Sequence, residues 1–279
     1  MELTNENYHG TDARKEYMGY SQFKDFCACE KEALARVNGE IEDKSSPALL
    51  FGSYVDNYFS HEITMDEFIV RHPEMFTQKG TLKSDYKNVE KVISTIEGDE
   101  LLMKYLGGEH QVIMTGKIAG VKFKIKLDSY HPDKVIVDQK IMKDMKDVWV
   151  EVPDDNGGTR NVKLNFVMAW RYDLEGAIYQ EIERQNHLEK TGVDRKLPFV
   201  LAVTTKEDAP DKALIEIDQD VLDDALKEVI EKAPRFDAIK RGEIEPTGCG
   251  SCEICRSQKK LTGVFPYKKM FHIDEEEEE

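Results

Sequence analysis

The sequence predicts an α/β fold in which a central mixed β-sheet is flanked by helices, with a mainly helical N-terminal region before it and a small cysteine-containing C-terminal extension after it. Three observations predict this. Apolar residues recur at helical spacing as far as about Gly107. Between Gln111 and Ile141 the pattern changes to short runs in which Val, Ile and Phe alternate with polar residues around turn signals. Beyond them, long helical stretches alternate with two further strand-like runs, the order expected when helices cover a sheet.

Taken in order, Ser21 is positioned to cap a helix running through Phe23 and Phe26 to Ala33. A second helix starts at Ser46–Pro47 and carries Leu49, Leu50, Val55, Tyr58 and Phe59. A third spans about Ser84 to Leu106, with Val89, Val92, Ile93 and Ile96 on one face. Gln111–Ile118 and Val121–Tyr130 are strands joined by a tight turn at Ala119–Gly120. His131–Lys134 is a second turn, and Val135–Ile141 a third strand. Val148–Val150 and Asn161–Leu164 flank a DNGG turn as a peripheral hairpin. A helix from Phe166 to Leu188, strands at Pro198–Thr204 and Ala213–Ile217, and a helix from Val221 to Ile239 with Pro234 as a point of interruption complete the core. The domain reading is one unit over 1–245, helical to about 107 with a catalytic core over about 108–240. A cysteine-rich extension over 246–273 packs on it, and an acidic tail follows at 274–279.

Composition narrows the function. Hydrophobic residues make up 40% of the 279, which places the chain among folded proteins. No apolar run reaches the roughly 18 residues a membrane span needs. The polar N-terminus MELTNENYHGTDARKEY has no apolar signal core, so a cytoplasmic protein is expected. The net charge is −16, and Asp274 to Glu279 contribute six of those charges, leaving −10 elsewhere. That balance excludes a protein that coats nucleic acid through bulk charge. It does not exclude catalysis on DNA, which needs only a local basic lining.

Strand alternation locates the chemistry. Val121, Phe123, Ile125 and Leu127 share one face of the second strand; Lys122, Lys124, Lys126 and Asp128 share the other. In the third strand Ile136, Asp138 and Lys140 share a face. If the two strands pair, Asp128 and Asp138 converge, and two converging carboxylates repel unless a cation joins them. Hard oxygen ligands suit Mg²⁺ or Mn²⁺, and the main-chain carbonyl of Gln139 is placed to add another. Lys140 is placed to stabilise negative charge on a phosphoryl group. Charged residues make up 34% of the chain, so D-x-K alone would be weak evidence; its context carries the weight. Lys122, Lys124 and Lys126, extended by Lys143 and Lys146, form a candidate phosphate track whose competing interpretation is an ordinary solvated face. Tyr172, Glu175 and Tyr179 cluster on one side of the following helix.

The run GVKFKIKLDSYHPDKVIVDQK, Gly120 to Lys140, resembles the core of the PD-(D/E)XK nuclease superfamily, and particularly phage and prophage exonucleases related to RecE (exodeoxyribonuclease VIII). Three other segments agree in order: YSQFKDFCACEKEALARVNGE from Tyr20, LLFGSYVDNYF from Leu49, and the Tyr172, Glu175, Tyr179 helix. The similarity covers about Tyr20 to Leu261. It implies a restriction-endonuclease-like sheet and a metal-dependent DNA exonuclease acting on linear duplex ends in phage-type recombination in a bacterial cell. A RecT-like annealing protein and a homo-oligomeric ring are implied with it. It makes Asp128 and Asp138 the metal-binding acids and Lys140 the catalytic lysine. Asp56 stands where many relatives carry a metal-binding histidine. Glu175 stands where they carry glutamine, and ionised glutamate cannot donate as glutamine does. Alternatives are an endonuclease or single-strand nuclease with the same site, or a non-catalytic DNA-binding or scaffold protein of the same fold.

CGSCEIC, Cys249 to Cys255, has the C-x₂-C-x₂-C spacing that gathers three thiolates around a metal. Cys27 or Cys29 supplies a fourth if the chain ends meet. One early and three late cysteines around nuclease motifs resemble iron–sulfur nucleases of the AddB and CRISPR-associated types. That likeness implies a [4Fe–4S] cluster, with structural zinc as the alternative, and the family-like segment around Cys29 makes that residue the fourth ligand.

Overall fold

The computed structural model describes residues 1–41, 46–153, 159–260 and 263–264. The DNGG turn and the acidic tail lie outside the described residues. The helical opening consists of α1 (Thr11–Glu16), α2 (Tyr20–Ala28), α3 (Glu30–Asn38), α4 (Pro47–Ser60), α5 (Met65–Arg71), α6 (Val89–Glu97) and α7 (Glu100–Leu106). α4 starts as its sequence predicts: the Ser46 hydroxyl accepts the Leu49 amide and Pro47 fills the first turn. α2 begins two residues earlier than a Ser21 cap would allow, with Gly19 at the cap position. The single helix expected from Ser84 to Leu106 is divided. The Asp99 carboxylate accepts the amides of Leu101 and Leu102, so a capping side chain starts α7 where α6 has ended.

β1 (Glu109–Ile118) and β2 (Val121–His131) form the expected antiparallel hairpin, closing at Ile118↔Val121. Ala119 and Gly120 both adopt positive φ, 49° and 82°, which a two-residue hairpin turn of this twist demands. β3 (Val135–Met142) runs antiparallel to β2. β4 (Val148–Pro153) and β5 (Thr159–Leu164) make a separate two-stranded hairpin. The helix expected from Phe166 to Leu188 is broken into α8 (Phe166–Ala169) and α9 (Tyr172–Thr191). Arg171 takes a left-handed φ of 61° at the break, and its guanidinium pairs with Asp173 at 3.2 Å and with Glu228 at 2.6 Å. β6 (Phe199–Thr205) pairs parallel with β3, and β7 (Lys212–Glu216) pairs antiparallel with β6. α10 (Gln219–Lys240) runs through Pro234 without the expected interruption, and α11 (Glu253–Ser257) follows. The carbonyl that loses its partner to Pro234 belongs to Ile230, which is exposed to water.

The sheet order is β1-β2-β3-β6-β7, mixed and flanked by helices as the sequence predicts. On one face Phe123, Ile125, Leu127, Ile136 and Leu201 pack with α9, α10 and α2; on the other Val137 and Ala202 pack with α4, α6 and α7. Every residue of β6 is buried, which explains its unbroken FVLAV run. Each fully buried Leu, Ile or Phe contributes about 1.5–3 kcal/mol. Among the described residues no helix is long and apolar enough to cross a membrane.

α9 lies so close to β6 that a Cβ on Gly176 would sit 2.6 Å from Phe199 Cδ1 and 2.8 Å from Leu222 Cδ2. Gly176→Val is therefore expected to cost about 1–3 kcal/mol through over-packing. Thermal unfolding would read this as a lowered Tm; an unchanged Tm would mean that the spacing of α9 on β6 is not fixed by this glycine.

Candidate active site

The site originates where β2 and β3 part. Their pairing includes His131↔Val135, Tyr130↔Ile136 and Ser129↔Val137 and goes no further. Beyond it the Asp128 carboxylate accepts the Gln139 amide at 2.9 Å in place of a main-chain partner. A strand residue directs its N–H and C=O to the same edge, so the Gln139 carbonyl is turned toward the same opening. β1 is irregular opposite: between rungs His110↔Ser129 and Val112↔Leu127, Gln111 adopts a left-handed φ of 54°. Its side-chain amide donates to both carboxylate oxygens of Asp56 on α4, at 3.2 and 3.1 Å. Helix α4 and strands β2 and β3 thus bring Asp56, Asp128 and Asp138 into one electrostatic group.

One residue along β3 from Gln139, Lys140 points its ammonium to Asp138 Oδ2 at 2.6 Å and Glu175 Oε2 at 2.9 Å, and lies 4.8 Å from the Tyr172 ring centre. Asp138 is 3% exposed and Glu175 5%. Burial disfavours carboxylate charge and sets the direction throughout. It raises Asp138 above its ordinary value. It raises Asp128 well above, reinforced by Asp138 and Asp56. It pushes Glu175 up to about 7, reinforced by Asp138, and Asp56 up to about 6. Burial alone would lower the Lys140 ammonium; Asp138 and Glu175 outweigh it and hold that group well above the usual lysine range. Lys140 is therefore a protonated donor set among carboxyl groups.

These residues fit a hard divalent cation. The donors are carboxylate oxygens and a main-chain carbonyl, their charges repel, and Asp138 Oδ2 and Glu175 Oε2 meet Lys140 at ion-pair distance without a well-aligned hydrogen bond. An ion held by Asp128, Asp138 and the Gln139 carbonyl, with Asp56 beside them, would supply Lewis acidity and lower the pKa of a bound water.

A cleft of about 800 Å³ opens over this region, with Tyr8, Asp56, Lys124, Lys126, Asp128 and Tyr179 in its walls. The lysine row does not form a uniform solvated face. Lys122 is half exposed and pairs with Glu16 at 2.8 Å; Lys126 pairs with Glu62 at 2.7 Å. Lys124 is 5% exposed, donates to the Tyr8 carbonyl and lies 4.4 Å over the Tyr8 ring. Its burial lowers it to about 8. Lys143 and Lys146 are exposed beyond β3. Tyr172 faces Lys140, whereas Tyr179 lies at the edge of the core, edge-to-face with Phe199 at 6.0 Å. Sequence reasoning missed Tyr8 and Glu62, which sit in no periodic pattern, and Gln111, whose role rests on a left-handed φ within a strand. It also passed over Tyr20 and Lys24 despite their place in a family-like segment. Tyr20 donates to the Trp170 carbonyl at 2.9 Å, and Lys24 donates to Tyr20 at 3.3 Å.

At the far end of α2 an early and a late segment of the chain meet. Cys29, between α2 and α3, has its sulfur 3.7 Å from those of Cys252 and Cys255, and with Cys249 all four sulfurs lie within 4.8 Å of one another. Cys27 is exposed and outside this group. Beside it, Glu30 accepts both Arg235 nitrogens at 2.7 and 2.9 Å and the Thr247 amide at 2.7 Å, joining α3, α10 and the C-terminal segment. The Arg235 bonds hold its carboxyl down at about 2.

The mixed sheet flanked by helices, with an acid and a lysine side by side on β3, agrees with a PD-(D/E)XK-like fold. Residues 19–258 match the model of a PDDEXK-like domain of unknown function (DUF3799), and the chain belongs to that family. It is also similar to a crystal structure from Eubacterium rectale described as a "Putative exonuclease": 43% identity, TM-score 0.85, covering 98% of this chain and 99% of that one. No curated protein matches the chain.

Glu30→Gln removes a charge-assisted set of hydrogen bonds worth about 1.5–3 kcal/mol. Its urea midpoint at neutral pH is expected to fall with an unchanged slope; equal midpoints would show that this junction contributes nothing to stability.

Proposed function

We propose that the chain is a metal-dependent deoxyribonuclease that hydrolyses phosphodiester bonds from the ends of linear duplex DNA, using Mg²⁺ or Mn²⁺. The observation that carries this reading is the buried Asp138–Lys140–Glu175 constellation beside the opening between β2 and β3. Lys140 donates to a phosphoryl oxygen and stabilises the negative charge that develops there. Glu175 and the face of Tyr172 hold the ammonium in place before substrate arrives. Lys122 and Lys126 exchange Glu16 and Glu62 for phosphates. Lys124 supports the wall of the cleft through Tyr8, and Tyr179 lines it.

Action on ends is supported by the similarity to the Eubacterium rectale protein and by the RecE-like segments. The resemblance of the sequence segments to RecE-type exonucleases, by itself, is what supports a phage or prophage recombination role in the bacterial cytoplasm, beside a RecT-like annealing partner and as a homo-oligomeric ring.

The test is degradation of linear against closed circular duplex DNA with Mg²⁺ or with EDTA, beside Asp138→Asn and Lys140→Ala. Mg²⁺-dependent loss of the linear form alone is expected, with each variant slowed by at least about 100-fold. Cutting of the closed circle would replace the exonuclease with an endonuclease. Absence of degradation in any condition would sink the nuclease reading.

Lys126→Ala is expected to weaken DNA binding equally across sequences and to reduce the slope of log affinity against log salt by about one. An unchanged slope would remove Lys126 from the phosphate track.

A further inference from the structure

We propose that Cys29, Cys249, Cys252 and Cys255 hold a single Zn²⁺ ion in a closed tetrahedral site, rather than an iron–sulfur cluster, and that this ion fastens the C-terminal segment to the α2–α3 junction. This does not rest on the nuclease reading and is tested without it.

Size decides between the two groups. Zinc binds thiolate at about 2.3 Å, so four sulfurs at the corners of a tetrahedron around one ion lie about 3.8 Å apart. Cys29 Sγ lies 3.7 Å from Cys252 Sγ and from Cys255 Sγ, and no pair of the four is further apart than 4.8 Å. A [4Fe–4S] cube interposes an iron between each thiolate and the centre and spreads its thiolates to roughly 6 Å. On the side of Cys255 the site is tightly packed. A Cβ on Gly248 would already be 2.7 Å from Cys255 Sγ and 3.2 Å from the Lys31 stem.

The surroundings suit thiolates. The Cys249 amide is directed at Cys29 Sγ at 3.5 Å, the Cys252 amide at Cys249 Sγ at 3.3 Å, and the Cys255 amide at Cys252 Sγ at 3.4 Å. Main-chain donors thus spread the negative charge that four thiolates around one divalent ion retain. Four sulfur ligands leave no open coordination position, which makes the site structural and not catalytic.

Packing gives an independent reason for an ion. Of the five residues of α11, only Cys255 is buried. A helix that short, with one buried side chain, cannot hold its position by apolar burial, whereas metal–thiolate bonds can. The ion binds early and late parts of the chain together, because Cys29 precedes the sheet and the other three ligands follow it.

The test uses the full chain expressed with both iron and zinc supplied, purified without oxygen and freed of loosely held metal. Zinc, iron and acid-labile sulfide are then measured in the wild type, Cys27→Ser and Cys252→Ser. About one zinc per chain without sulfide is expected in the wild type and in Cys27→Ser, with zinc lost from Cys252→Ser. Should that variant fail to fold, Co²⁺ exchanged into the wild type is expected to show the visible bands of a tetrahedral thiolate site. Iron with sulfide, one iron without sulfide, no metal, or full zinc occupancy in a folded Cys252→Ser would each overturn the assignment.

Discussion

The bond from the Gln139 amide to the Asp128 carboxylate is the contact on which the site depends. A strand amide next to a sheet interior must find a partner, and its ordinary partner is a neighbouring carbonyl. Here a side chain takes that place, with a charge-assisted bond worth about 1.5–3 kcal/mol. The substitution lets β2 and β3 separate beyond the Ser129↔Val137 rung without stranding the amide. The opening exposes the Gln139 carbonyl and sets Asp128 near Asp138. β3 does not unravel, because its other edge remains paired with β6 from Ile136 to Met142. The sheet is open on one side of β3 and rigid on the other. Without the parallel β6 strand, Asp138 and Lys140 would have no fixed orientation.

The rest of the site follows from burying charge beside that opening. Several carboxyl groups close together would be expensive in a core, and burial pushes Asp56, Asp128, Asp138 and Glu175 all upward. A protein selected for stability alone would replace them with apolar residues, since a buried ion pair is seldom better than well-packed hydrocarbon. Their presence together, against one strongly protonated lysine, marks a place where charge is kept for chemistry. The glycine at position 176 belongs to the same arrangement: close seating of α9 on β6 brings the adjacent Glu175 within reach of Lys140.

What could be read in the sequence was what is periodic. Alternation along β2 and β3 placed Asp138 and Lys140 on one face, and the Ala119–Gly120 turn located the hairpin. The cysteine triplet declared itself by spacing. What could not be read depends on partners distant in the chain. The break before α9 turns on Glu228, 57 residues after Arg171. Lys124 leaves the solvated row because Tyr8, 116 residues earlier, lies over it, and Asp56 is held by Gln111, 55 residues later. Periodicity states which face a residue occupies but not what covers that face. The bulk charge of −16 is likewise silent on where charge lies, since six of those charges belong to Asp274–Glu279.

α2 connects the two centres. At its first turn Tyr20 holds the Trp170 carbonyl at the break that starts α9; just beyond its last turn lies Cys29. Between them Phe23 meets Phe236 of α10 edge-on at 5.3 Å and Phe26 stacks on it at 5.2 Å. One nine-residue helix, locked in the core, therefore fixes a wall of the cleft and presents a cysteine to the far end of the chain. That is positional coupling: both centres are fixed to the same helix. Its consequence is mechanical: a clamp at Cys29 resists displacement of α2, and α2 can move little without carrying Tyr20 away from the helix that bears Tyr172 and Glu175. A site that must hold Lys140 among buried acids with little positional tolerance gains by having its supporting helix anchored at both ends.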